Sequence, residues 1–200
     1  MSGQNSPPKL PDSDAQQRAA AIEWLVLDVD GVLTDGGLIR GDDGQEYKRF
    51  HAHDGLGLRM WRDSGLQVAL ITGRTSKVVA HRAAELGVTE VHQGTYAKLP
   101  VMLDIAARHH LQTEQIAFMG DDLIDVASLR AAGLGLVPAD ARPQAVEAAG
   151  WQSQQPGGNG ALREAIEFIL AARGQLDAAI ERLIAGESAS ANSGNSGQIG

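Results

Sequence analysis

Cysteine is absent from this chain of 200 residues, which excludes disulfides and zinc sites built on thiolates. Aromatic residues are scarce, at 4%, so there is little to stack on nucleobases. Positive charge is in deficit: 17 Lys and Arg face 25 Asp and Glu, for a formal net charge of −8. Such a chain is a poor binder of nucleic acid on electrostatic grounds, and no nucleic-acid partner is expected. The same charge suits an anionic substrate only if a bound metal and local Arg or Lys invert the field at one place. No apolar run approaches the length that spans a bilayer, so no membrane partner is expected. The N-terminus carries no charged-then-apolar leader, and the expected location is the cytoplasm.

What is present is enough for one core-bearing domain, at 43% hydrophobic residues. Residues 1–17 are rich in Ser, Pro, Gln and Asp without periodicity and read as a disordered tail; residues 187–200 read the same way. Between them, apolar strand-like runs at 22–27, 67–71, 90–92, 116–119 and 134–137 alternate with helical patterns at 56–63, 77–86, 99–110 and 123–131. That alternation predicts an α/β fold, a Rossmann-like doubly wound parallel sheet over residues 18–173. Residues 37–50 break it with an Asp43-Gly44 pair between two short runs, a hairpin signal that predicts a β-flap. Residues 157–160 read Gly-Gly-Asn-Gly before a helical pattern at 161–172. They lack the Lys-Ser/Thr of a P-loop and are taken as a flexible connection. Residues 174–186 form a C-terminal helix that either docks on a neighbouring copy or stays free. Its removal is expected to alter turnover or product release and leave the fold intact.

The stretch Trp24 to Gly37 reads W-L-V-L-D-V-D-G-V-L-T-D-G-G. One buried strand ends in Asp28, Asp30 follows two residues later, and Gly31 lets the chain turn. Two carboxylates so close repel, and a shared proton or a cation must stabilise them. One Mg²⁺ does so with oxygen ligands alone. Taken alone, D-x-D-G is also a common surface turn. Other strand ends add to it: Thr72-Gly73-Arg74 after 68–71, Lys98 after Gln93-Gly94-Thr95, and Gly120-Asp121-Asp122-Leu123-Ile124-Asp125 after 116–119. A parallel sheet brings these ends to one edge. Together they supply two carboxylates, a hydroxyl, an ammonium and an acidic metal site, the groups that phosphoryl transfer through an aspartyl phosphate needs.

In this order and placement the motifs resemble those of the haloacid dehalogenase superfamily: Asp28-Val29-Asp30-Gly31-Val32-Leu33-Thr34 the first, Thr72 the second, Lys98 the third and Gly120 to Asp125 the fourth. The resemblance implies that Asp28 attacks phosphorus and that Asp30 acts as general acid and then base. It implies that Thr72 holds phosphoryl oxygens and that Lys98 orients Asp28 and the phosphate. Asp28, the carbonyl of Asp30 and Asp121 would hold Mg²⁺, with Asp122 and Asp125 in support. Thr72 as a strand-end cap, Lys98 as a solvated helix residue and Asp122 as a helix cap are the plainer alternatives. Neither interval between the first three motifs is long enough for a cap domain. An open site then needs a neighbouring subunit to exclude water, and a homo-oligomer is expected.

The capless form, with D-V-D-G-V-L-T-D-G, F-H-A-H-D-G-L-G-L-R, I-T-G-R, Q-G-T-Y-A-K, G-D-D-L-I-D and G-G-N-G-A-L-R-E, resembles the 3-deoxy-D-manno-octulosonate 8-phosphate phosphatases over about residues 21–172. That resemblance implies a homotetramer acting on a sugar-acid phosphate of lipopolysaccharide biosynthesis. It also implies a sugar pocket lined by His51, Ala52, His53, Asp54, Gly55, Arg59, Gly73, Arg74 and Arg82, with Asp30 and Lys98 reaching the phosphate. Arg82 follows Arg74 by about two helical turns, and an arginine fork suits a carboxylate. From periodicity alone, Arg82 reads as a solvated helix charge. One departure stands out: the family usually has Arg where this chain has His53, which removes a fixed charge and a bidentate donor. A nine-carbon sialic-type acid phosphate, or a broader set of sugar phosphates, is therefore a second expectation. A non-catalytic tetramerisation module of the same fold is a third, against which the intact motif residues argue. A response-regulator-like receiver would place its acidic pair on adjacent residues, unlike this chain.

Overall fold

The structure, a computed structural model, describes residues 14–186. Among these residues, eight strands and eight α-helices run in order as α1 (Ala15–Ala20), β1 (Trp24–Leu27), β2 (Ile39–Arg40), β3 (Glu46–Tyr47), α2 (Ala52–Asp63), β4 (Gln67–Thr72), α3 (Lys77–Glu85), β5 (Glu90–Gln93), α4 (Lys98–Arg108), β6 (Ile116–Met119), α5 (Val126–Ala131), β7 (Leu134–Val137), α6 (Pro143–Ala148), β8 (Trp151–Gln152), α7 (Ala161–Ala172) and α8 (Leu176–Ile184). Six strands make one parallel sheet in the order β5-β4-β1-β6-β7-β8.

β1 is central, and all its residues are buried, as a parallel strand covered on both faces requires. Its alternate side chains go to opposite sides. Leu25 and Leu27 join a core with residues of α1, α2, α3 and α7, and Trp24 and Val26 join one with residues of α4, α5 and α6. The chain leaves β1 toward β4 on one side and later returns to β6 on the other. The carboxyl end of β1 is thus the switch point where an open α/β sheet leaves a crevice.

The expected flap is a two-stranded antiparallel hairpin, pairing Ile39 with Tyr47 and Arg40 with Glu46. Its residues Leu38, Ile39 and Tyr47 are each more than half exposed. The remaining differences from the sequence reading have identifiable causes. The expected tail boundary at residue 17 falls inside α1, because Ala15 and Ala19 are fully buried in the core shared with α7. Residues 1–13 and 187–200 lie outside the described residues. The helix expected at 123–131 is divided: Leu123–Asp125 is a single 3₁₀ turn and α5 follows it. α6 and the two-residue β8 have patterns too short to stand out from a loop.

Two further observations concern the C-terminal part. α8 does not stay free. It packs on α2 and α7 of its own chain, with Ala179 buried, Leu176, Ile180 and Leu183 against the core, and Arg182 Nη2 donating to Ser64 Oγ at 3.0 Å. Removing it would uncover the part of the core that Leu176, Ile180 and Leu183 cover. The 157–160 loop is not a flexible connection either. Gly158 N donates to Val32 O at 2.9 Å, and a β-carbon on Gly157 would fall 1.8 Å from the carbonyl oxygen of Gly31. This glycine loop is pressed directly on the acidic loop after β1. No helix among the described residues is long and apolar enough to cross a membrane.

Candidate active site

Asp28 is the first residue beyond β1. Its N–H donates to Met119 O at 2.9 Å, continuing the β1–β6 ladder by one rung. The loop then closes tightly: the N–H groups of Leu33 and Thr34 donate to Val29 O at 2.9 and 3.0 Å, and Val29 and Val32 are fully buried. Gly31 has φ +93°, and a β-carbon there would stand 2.2 Å from Asp121 Oδ2. Only glycine allows the first and fourth motifs to approach this closely.

Lys98 opens α4 and is 1% exposed. Its Nζ lies 2.8 Å from Asp28 Oδ1 and 2.6 Å from Asp125 Oδ1. Asp125 is fully buried, and its other oxygen accepts from the N–H groups of Asp121 and Asp122 at 3.0 and 3.1 Å. Both oxygens of Asp125 are therefore committed to holding the fourth-motif loop and Lys98. Asp122 is exposed and caps the 3₁₀ turn, accepting from Leu123 N at 2.7 Å, the plainer alternative for that residue. Asp121 differs: its Oδ1 is buried and has no hydrogen-bond partner.

Asp28, Asp121 and Asp125 each present a ligand oxygen, all within 4.8 Å of one another. A lone buried carboxylate oxygen beside a second carboxylate fits a hard divalent cation. The electrostatics agree. Burial above all raises the Asp28 carboxyl, with Lys98 opposing and Asp125 adding, to about 6. Burial, then the charges of Asp28 and Asp125, raises Asp121 to about 7. Burial works against the Lys98 ammonium, but Asp28 and Asp125 outweigh it and push its pKa above the ordinary value.

A pH-dependent response to metal follows. Carboxyls that ionise near 3.8 when unfolded but near 6 and 7 when folded contribute stability below pH 4 that is lost as pH rises through 6 to 7. A cation bound among them reverses that loss. Mg²⁺ is therefore expected to raise the melting temperature little at pH 5 and by several degrees at pH 8. Differential scanning fluorimetry at the two pH values checks this, and equal shifts would refute the cluster as the cation site.

Asp30 turns toward the flap. Its Oδ1 is ion-paired with Lys48 Nζ, whose side chain is fully buried, and its Oδ2 lies 3.9 Å from Arg74 Nε. Glu46 stands 3.6 Å from Lys48 Nζ and 3.3 Å from Arg74 Nη2. Sequence reasoning missed Lys48 and Glu46. The available signal was strand alternation, which puts residues 46 and 48 on one face of the hairpin and Tyr47 on the other. A cleft of about 490 Å³ opens between this face and the start of α3, lined in part by Glu46, Ser76, Lys77 and His81.

The other expected residues divide into two groups. Thr72 is buried at the end of β4, and its Oγ1 accepts from Arg74 N at 3.4 Å. Gly73 lies under the Tyr96 ring, where a β-carbon would come within 2.8 Å. His51 and His53 meet edge to face at 4.8 Å; His51 Nδ1 is buried without a partner, and Ala52 and His53 are exposed. The residues expected at 52–55 form the first turn of α2. Gly55 leaves room for Arg82, whose guanidinium also lies over the Phe50 ring at 5.5 Å and pairs with Glu85 at 3.0 Å. Two of the expected residues have partners within their own chain. Asp54 is buried and both its oxygens are engaged, by Gly160 N at 3.2 Å and Arg163 N at 2.9 Å. It ties α2 to the start of α7. Arg59 pairs with Asp63 one turn along α2 at 3.4 Å, on an exposed face.

No family model matches the chain, but whole proteins do. It is 41% identical over 167 residues to the 3-deoxy-D-manno-octulosonate 8-phosphate phosphatase KdsC of Escherichia coli K12, covering 84% of this chain and 89% of that one. The crystal structure of the Moraxella catarrhalis 3-deoxy-D-manno-octulosonate 8-phosphate phosphatase, in complex with magnesium, phosphate and KDO, superposes with a TM-score of 0.83 at 37% identity, over 85% of this chain and 98% of that one. A subfamily III A hydrolase of the HAD superfamily from Legionella pneumophila superposes with a TM-score of 0.83 at 37% identity, over 86% and 94%. With this fold, these buried charges and this degree of identity, the chain belongs to the 3-deoxy-D-manno-octulosonate 8-phosphate phosphatase family, the capless subfamily III A of the haloacid dehalogenase superfamily.

Proposed function

We propose that this protein is a Mg²⁺-dependent phosphoric monoester hydrolase that releases phosphate from 3-deoxy-D-manno-octulosonate 8-phosphate through an aspartyl phosphate, in lipopolysaccharide biosynthesis. The observation that carries it is the buried Lys98, held between Asp28 and Asp125 beside the unpartnered oxygen of Asp121. Asp28, the Asp30 carbonyl and Asp121 would hold the cation, which supplies positive charge to screen phosphate against the carboxylates. The Asp28 carboxylate attacks phosphorus as the ester P–O bond breaks, and protonated Asp30 gives its proton to the departing alcohol oxygen. Asp30 then takes a proton from water as that water attacks phosphorus, freeing phosphate and restoring Asp28. Lys98 holds Asp28 in line, and Thr72 offers its hydroxyl to a phosphoryl oxygen.

At the sugar end, Arg74 and Arg82 offer forks for the carboxylate, and His51 has an unpartnered nitrogen for a hydroxyl. The domain has no cap, and its flap exposes Leu38, Ile39 and Tyr47. These support a homo-oligomer, a tetramer in this reading, in which neighbours cover the flaps. The proposed location is the cytoplasm.

Phosphate release from 3-deoxy-D-manno-octulosonate 8-phosphate and from a nine-carbon sialic-type 9-phosphate, each with and without Mg²⁺, tests the substrate. Faster, metal-dependent release from the first is expected. Preference for the second would move the substrate and implicate His53, which stands where the family usually has Arg. No release from either would refute the reading.

A further inference from the structure

The flap's inner face carries a closed ring of alternating charge. Lys48 pairs with Asp30 and lies 3.6 Å from Glu46; Arg74 lies 3.3 Å from Glu46 and 3.9 Å from Asp30. Glu46 and Lys48 belong to the flap, Asp30 to the loop after β1, and Arg74 to the turn after β4. A hydrogen bond from Ser76 first, and then the charges of Lys48 and Arg74, hold the Glu46 carboxyl below its ordinary range. The ring thus brings two carboxyl groups and two basic side chains together in alternation. The lysine side chain is wholly buried within it, so its pairing is not a solvated surface contact that could be remade anywhere.

Resting on the mechanism proposed above, we infer that Lys48 is a positioning residue for Asp30. Nothing else among the contacts of the Asp30 side chain reaches it as closely; Arg74 approaches only to 3.9 Å. A carboxylate on a short side chain, free to rotate at the mouth of an open site, would meet the alcohol oxygen in few of its rotamers. Lys48 removes that freedom. It does so from the flap, so the seating of the flap and the aim of the acid become one event. The main-chain path from Asp30 to Lys48 is the flap itself, and in this chain the hairpin takes the place of a cap in ordering the acid.

The test separates aim from simple scaffolding. A group that aims the acid matters in proportion to how badly the leaving group needs a proton. kcat/KM reports only the steps through formation of the aspartyl phosphate, so it isolates the leaving-group step. The experiment measures kcat/KM for wild type, Lys48→Met and Lys48→Arg on a series of aryl phosphates of rising leaving-group pKa and on the sugar-acid phosphate. Circular dichroism and thermal melts accompany each variant. Lys48→Met is expected to lose about tenfold on p-nitrophenyl phosphate and about 10³-fold on the sugar phosphate, giving a steeper dependence on leaving-group pKa. Lys48→Arg keeps the charge and is expected to restore the wild-type slope within about fivefold at every substrate. An equal loss across the series, or no loss, overturns the inference. If Lys48→Met does not fold, the slope of Lys48→Arg and that of Glu46→Gln, which loosens the ring from its other side, decide it in the same way: Lys48→Arg keeping and Glu46→Gln steepening the slope supports it, and unchanged slopes overturn it. The aryl series does not depend on which sugar is the substrate. A wild type active on aryl phosphates but not on the sugar-acid phosphate overturns the substrate reading alone. One inactive on every monoester overturns both.

Discussion

Replacing Asp28 by Asn is expected to lower Mg²⁺-dependent phosphate release by about 10⁴-fold or more, the scale on which an enzyme loses activity when its nucleophile is removed. An amide does not form the acyl phosphate, and no neighbouring group can take over. Asp121 is the expected cation ligand, Asp125 has both oxygens committed, and Asp30 is turned to the flap. The fold should survive the change. Lys98 retains Asp125 at 2.6 Å, and the ladder bond from residue 28 N–H to Met119 O does not involve the side chain. Removing one of the crowded carboxyls also relieves Asp121, whose carboxyl is pushed up by burial and then by Asp28. At pH 8 without metal, the variant should melt no lower than wild type, and its stabilisation by Mg²⁺ should shrink. Loss of activity with an intact melt places Asp28 in the chemistry rather than in the fold. Retention of more than about a hundredth of wild-type turnover would remove Asp28 from that role.

The largest expected effect on stability belongs to Asp125→Ala. This carboxylate is fully buried and makes several bonds at once, to Lys98 Nζ and to the N–H groups of Asp121 and Asp122. Truncation leaves a buried ammonium with Asp28 as its remaining partner, and two loop N–H donors without acceptors. Breaking a buried ion pair from one side costs about 3–5 kcal/mol, because the other charge stays buried. Urea unfolding should report a loss of that order. Turnover should fall as well, by about 100-fold, because the loop that presents Asp121 and the amine that orients Asp28 are both released. Asp125→Asn offers an intermediate case: one acceptor oxygen remains, for either the lysine or the loop. Unchanged stability in Asp125→Ala would show that Lys98 is solvated on opening of the loop, and that Asp125 does not anchor the site.

The legible part of this site and the illegible part differ in kind. Asp28, Thr72, Lys98 and Asp121 all stand at or within two residues of strand ends or helix starts, so locating the strands located them. The helix at 98–108 even begins on Lys98 itself. Asp125 was legible as a supporting residue, but not as the hub that joins Lys98 to two backbone N–H groups. Asp54 sits in a stretch that the family resemblance assigned to the sugar. Its carboxylate is drawn to the free N–H groups at the start of α7, where a helix end with no side-chain cap of its own needs acceptors. The glycines at 157 and 158 looked like slack because low complexity reads as flexibility. In the fold they mark where one backbone lies against another.

By itself, then, the sequence determined the parallel sheet, the edge on which the chemistry is gathered and the identity of most charged groups there. Each of those follows from local periodicity and from one topological rule: parallel strands deliver their carboxyl ends to a common edge. Tertiary structure alone decided which oxygen each of these groups faces. It buried Lys48 against Asp30, spent Asp54 on α7, left one oxygen of Asp121 without a partner and folded α8 back on its own chain. These are pairings between residues far apart in the chain, and they leave no period in the sequence. They are settled by competition among buried polar groups for a limited set of partners, which exists only once the core has closed around them.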